Sequence, residues 1–217
     1  MNLRYVKIFT AFERFWHWAQ TVLIILLLFT GFEIHGFYHL FDFSLAVTLH
    51  IWFAVVLMVL WVFAIFWHVA TGSWRHYVPT TEGLWQVMRF YAYDIFQGQH
   101  HPYHKAYWRK HNPLQAIAYL VLKLVLFPTV WISGVAYLFY FMWGTTPDAP
   151  AILTNVALIH TIGAFATLSF IIVHLYMLTM GHSFVEHVMP MITGFDHVTL
   201  TPEEEMYLNK VNPKHIR

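Results

Sequence analysis

Four stretches of this chain are long enough and apolar enough to cross a lipid bilayer, and no other feature constrains the fold as strongly. Phe15 to Phe32 carries no Asp, Glu, Lys or Arg before Glu33 is reached. Asp42 and Arg75 enclose a second stretch, from Phe43 to Trp74. A third runs from about Leu114 to Trp143 and is interrupted only by Lys123; the fourth lies between Asp148 and Glu186. A helix needs about 20 apolar residues to span the hydrocarbon core. The pattern therefore predicts spans near 15–34, 45–70, 114–142 and 153–180, within one domain of 217 residues. The expected fold class is all-α: an integral membrane four-helix bundle in contact with the lipid bilayer.

Composition agrees. Only 11% of residues are charged, against about 25% in soluble domains. There is no cysteine, which excludes disulfides, thiolate metal ligands and cysteine-held iron–sulfur clusters within this chain. No nucleic-acid partner is expected. The first span follows Arg4 and Lys7 but lacks a small-residue cleavage site, so it is read as a retained helix rather than a signal peptide.

Lysine and arginine set the expected orientation. Arg4, Lys7 and Arg14 precede span one; Arg75, Arg89, Lys105, Arg109 and Lys110 lie between spans two and three; Lys210, Lys214 and Arg217 follow span four. The loops near 35–44 and 143–152 contain neither residue type. The positive-inside rule then places both termini, the central loop 71–113 and the tail 181–217 in the cytoplasm. Within the central loop, Leu84, Val87, Met88, Tyr91 and Ile95 share one helical face, which suggests a short amphipathic helix at the membrane surface. The stretch 196–217, with acidic Glu203–Glu205, reads as a solvated extension.

Sixteen histidines in so apolar a chain need a reason, because polar groups in hydrocarbon are costly and tend to be functional. His17, His50, His160 and His174 sit inside the spans. From His160 to His174 a helix turns about 1400°, some 40° short of four turns, and rises about 21 Å. Both imidazoles thus face one side of span four, at a spacing that suits two haems stacked across a core of about 30 Å. His50 lies at nearly the depth of His160 on the outer side, giving one bis-histidine site. On the inner side, His174 has two candidate partners. One is His17 at the start of span one; the other is His68, five turns beyond His50 on the same face of span two. A proton relay is the competing use of buried histidines, but relays recruit carboxylates, and Glu33 and Glu186 lie only at span ends.

The run RFWHWAQTVLIILLLFTGF (14–32), with its closing Thr-Gly, resembles the first span of bacterial two-haem cytochrome b subunits. These serve formate dehydrogenases, nickel–iron hydrogenases and thiosulfate-type reductases. KHNPLQAIAYL (110–120), the His160-to-His174 spacing and TMGHSFVEHVMPMITGF (179–195) carry the same resemblance, which covers nearly the whole chain. It implies that two haem b groups are held, the outer by His50 and His160 and the inner by His17 and His174, which favours His17 over His68. It also implies a quinone site near the inner haem, where Asn112 and Gln115 resemble the family's polar pair. Arg14 is a candidate for a haem propionate. Lys123 and His68 are further candidates for the propionate or quinone region, although Lys123 also reads as a side chain snorkelling to the interface.

The expected function is that of a membrane-anchoring electron-transfer subunit of the bacterial inner membrane. It would carry electrons between menaquinone or ubiquinone and a periplasmic, multi-haem or iron–sulfur redox subunit. His35, His39 and the loop 143–152 are candidate partner contacts. His182 and His187 are candidates for quinone-coupled proton exchange; His100, His101 and His104 read as part of an exposed polar loop, with a metal cluster as the alternative. The alternatives are a stand-alone quinol-oxidising cytochrome and a histidine-lined transporter.

Overall fold

The computed structural model describes residues 2–99, 110–179 and 184–216; the three clustered histidines of the central loop, and His182, lie outside them. Among the described residues, four helices are long and apolar enough to cross a membrane: Ala11–Ile34, Phe43–Thr71, Pro113–Leu138 and Ala149–Leu178. In chain order the elements are strand β1 (Asn2–Lys7), helices α1 (Ala11–Ile34), α2 (Phe43–Thr71) and α3 (Leu84–Ala92), then α4 (Pro113–Val121), which continues into α5 (Phe127–Leu138). A single α-helical turn α6 (Tyr140–Trp143) follows, then α7 (Ala149–Leu178), α8 (Phe184–Thr193), strand β2 (Phe195–Leu200) and α9 (Pro202–Val211). Each of the four expected spans falls on one of the long helices.

Between α4 and α5 the backbone opens into a π-helical segment, Leu122–Leu126. Pro128 follows closely and brings no N–H to the helical ladder, so the chain widens instead of breaking. Lys123 lies within this segment, half-buried.

The chain divides into two compact units. The first comprises Met1–His17, His68–Leu120 and Leu175–Arg217. Here β1 and β2 pair antiparallel, from Asn2 opposite Leu200 to Lys7 opposite Phe195. Val6, Val198, Leu200 and Leu208 make a small core, flanked by Ile8 and Ile216. The stretch read from sequence as a solvated extension is therefore ordered: burial alternates along β2, and α9 covers the pair through Leu208. Gly194 turns the chain from α8 into β2 at φ 89, and its carbonyl accepts from Ile8 N at 2.8 Å and Phe9 N at 3.0 Å. A Cβ there would stand 2.7 Å from the Phe9 carbonyl oxygen, so both the dihedral and the space require glycine.

Three reciprocal N-caps order this unit. Thr10 and Glu13 exchange backbone-to-side-chain bonds at the start of α1 (2.8 and 3.2 Å), Asn112 and Gln115 do so before α4 (3.1 and 2.8 Å), and Thr201 and Glu204 before α9 (2.9 and 3.2 Å). Each satisfies two backbone donors that a helix start otherwise leaves open. The central-loop helix expected from the apolar spacing is α3; it buries Val87 and Phe90, while Trp85 and Met88 are exposed.

The second unit comprises Trp18–Trp67 and Val121–His174. Trp61 on α2 donates to Gln20 Oε1 on α1 at 3.1 Å and stacks on Phe127 and Trp131 of α5. Phe32 of α1 meets Phe165 of α7 edge-on. Helices α5 and α7 approach closely at Gly163, where an added Cβ would fall 2.6 Å from Val130 Cγ2. Glu33, buried at the end of α1, accepts from Leu40 N (2.8 Å) and Phe41 N (3.0 Å) and so ties down the loop leading to α2.

Candidate functional site

The second unit brings His50 of α2 and His160 of α7 together. Their ring centres are 6.2 Å apart and their planes are inclined at 69°. Two imidazoles that share one metal through bonds of about 2 Å have ring centres about 6 Å apart once the ring radii are added. The spacing therefore fits a haem iron held between them.

Each imidazole leans on a hydroxyl from a neighbouring helix. Thr30 Oγ1 of α1 lies 2.9 Å from His50 Nδ1, and Ser133 Oγ of α5 lies 3.0 Å from His160 Nδ1. Both hydroxyls already point their own proton back along their helix, Thr30 to the Leu26 carbonyl (2.8 Å) and Ser133 to the Thr129 carbonyl (2.7 Å). Reading spans for titratable residues overlooked both. The usable signal was the Thr-Gly of span one and the matching Ser-Gly of span three (Gly31 and Gly134), dipeptides unusual in helices otherwise built from large apolar residues. His35, beyond α1, faces Thr161 Oγ1 at 3.4 Å.

The other candidates are distributed between the two units. His174 is on α7 in the second unit, half-buried, with the Phe170 ring stacked at 5.8 Å. His17 and His68 belong to the first unit. His68 is buried; Trp16 packs edge-on against it at 5.1 Å and Tyr77 lies at 5.4 Å. Tyr77 in turn meets His111 (5.1 Å), which packs edge-on with Tyr119 at 4.9 Å. Burial raises the Tyr77 phenol above its usual value and the negative charge of Glu13 adds to this, so its hydroxyl stays protonated. His187 lies on α8.

Asn112 is buried and uses its side-chain oxygen and backbone N–H in the N-cap shared with Gln115, while its amide nitrogen reaches Tyr91 Oη at 3.4 Å. Burial also raises the Tyr91 phenol, and its bond to Asn112 pulls the other way. Arg14 is engaged with backbone: Nε with the Thr10 carbonyl at 3.4 Å and a terminal nitrogen with the Ile192 carbonyl near the end of α8. Among the described residues no cluster of three or more His, Asp or Glu side chains forms a metal site.

Residues 8–194 match the family model described as prokaryotic cytochrome b561. A protein of Escherichia coli (strain K12) named "Putative cytochrome YdhU" is 27% identical over 195 residues, covering 88% of this chain and 74% of its own length. No solved structure is a significant match.

Proposed function

Because this chain belongs to the prokaryotic cytochrome b561 family, and is thus a multi-pass membrane cytochrome that binds haem b, we propose that it carries electrons through two haem b groups between a quinone and a partner redox subunit. The observation that carries this reading is the His50–His160 pair, whose ring spacing of 6.2 Å suits one iron. Haem supplies the one-electron chemistry when bound. The chain would supply the His50 and His160 imidazoles to hold it.

For the second haem the support is sequence alone. His174 is in phase with His160 along α7, and the resemblance of span one to two-haem subunits favours His17 over His68. Menaquinone or ubiquinone as substrate rests on that resemblance too. So does docking of a periplasmic or iron–sulfur redox subunit. The lysine and arginine distribution supports cytoplasmic termini in the inner membrane.

A haem-to-protein ratio with a reduced-minus-oxidised optical spectrum tests this directly. The purified protein is expected to hold two haems; His50→Ala and His160→Ala each lose the same one, and His174→Ala and His17→Ala each lose the other. A colourless protein sinks the reading. Loss of the second haem in His68→Ala with retention in His17→Ala reassigns that ligand. For the quinone, Gln115→Ala with full haem content should slow haem reduction by a soluble quinol; an unchanged rate removes Gln115 from the site.

A further inference from the structure

We propose that Thr30 and Ser133 are positioning residues of the His50–His160 haem, each accepting the Nδ1–H of one histidine and so holding that imidazole in the tautomer that offers Nε2 to iron. The inference rests on the reading of His50 and His160 as axial ligands. It goes beyond it by assigning a role to two residues of the first and third spans.

A hydroxyl has one proton to give. Thr30 directs its proton at the Leu26 and Leu27 carbonyls (2.8 and 3.2 Å), and Ser133 at those of Thr129 and Val130 (2.7 and 3.1 Å). Back-bonding to the preceding turn is the usual resting state of Ser and Thr inside helices. With the proton committed, only lone pairs face the imidazole, so the contacts at 2.9 and 3.0 Å require Nδ1 to be the donor. A neutral imidazole that carries its proton on Nδ1 has its lone pair on Nε2, the nitrogen at the opposite end.

The arrangement occurs twice, on different helices, in the same form: a hydroxyl residue followed by glycine. A Cβ on Gly31 would touch His50 Cε1 at 3.5 Å, and one on Gly134 would press on His160 Cε1 at 3.3 Å, so anything larger than alanine would push the ring out of place. A partner that accepts the remote N–H of a metal-bound histidine fixes the ring and makes it a stronger donor. A stronger donor favours the ferric iron, so both hydroxyls should lower the reduction potential of this haem and leave the other unaffected.

Spectroelectrochemical titration of the purified holoprotein tests this. Thr30→Val and Ser133→Ala should each raise the potential of the His50–His160 haem, and the double variant should raise it further. The second haem's potential should stay at the wild-type value. Thr30→Ser and Ser133→Thr, which keep the hydroxyl, should titrate as wild type. Unchanged potentials in Thr30→Val and Ser133→Ala with both haems bound overturn the proposal. Where Thr30→Val loses the haem, retention with a wild-type potential in Thr30→Ser upholds it, and loss in Thr30→Ser as well assigns Thr30 to packing and overturns it. Retention of both haems in His50→Ala and His160→Ala overturns the ligand reading itself, an outcome distinct from the rest.

Discussion

The Glu13 carboxylate meets the Lys110 ammonium at 2.6 Å with both side chains almost fully buried, 5% and 8% exposed. Glu13 also closes the N-cap of α1 with Thr10, so the pair joins the end of the central loop to the start of the first long helix. Breaking a buried pair leaves an uncompensated charge and costs about 3–5 kcal/mol, whereas removing both charges is often nearly neutral. Lys110→Ala is expected to lose stability on that scale in denaturant unfolding followed by circular dichroism. Lys110→Met combined with Glu13→Gln should recover most of it.

The imidazole planes of His50 and His160 stand 69° apart. Near-perpendicular axial rings distribute their π-donation evenly over the two iron orbitals that receive it, which leaves those orbitals almost degenerate. Under the proposed ligation, a ferric haem bound between these two rings should therefore give a strongly anisotropic low-spin electron paramagnetic resonance signal. A rhombic signal of small anisotropy would mean that the rings turn parallel when the haem is bound.

Gly163 allows α7 to approach α5 closely enough for His160 to reach Ser133. An alanine Cβ would meet Val130 Cγ2 at 2.6 Å, and overpacking of this kind costs about 1–3 kcal/mol. Gly163→Ala should lower the thermal midpoint of haem release. Val130→Ala in the same chain should restore it, because the space it opens is the space the new methyl needs.

Acid should loosen the β1–β2–α9 cap through Glu205. Hydrogen bonds from Asn2 at 3.0 Å and Arg4 at 2.7 Å hold its carboxyl below the usual carboxylate range. A depressed folded value means that the stabilisation is complete above the unfolded value of about 4.3 and is lost as pH falls through the folded one. Amide exchange along Asn2–Lys7 should accelerate over that acidic window in the wild type. The same amides in Glu205→Gln should show a flatter pH dependence.

What the sequence determined by itself is what hydropathy and helical geometry can count. Length without charge placed four spans, each within a few residues of a long helix, because crossing hydrocarbon depends on local composition. Counting residues from the span ends put His50 and His160 at similar depth, and the structure sets their rings 6.2 Å apart. Tertiary structure alone decided the rest. Thr30 lies 20 residues from His50, and Ser133 lies 27 from His160, so only helix packing shows which hydroxyl meets which ring. The tail read as solvated because Glu203–Glu205 dominate it; its strand depends on a partner at the opposite end of the chain, Lys7 against Phe195. Asn112 and Gln115 stood out as a polar pair, yet their mutual N-cap appears only once α4 begins at Pro113. Depth in a membrane is a one-dimensional property that a sequence carries directly, whereas which side chains meet is fixed by the packing of segments far apart in the chain.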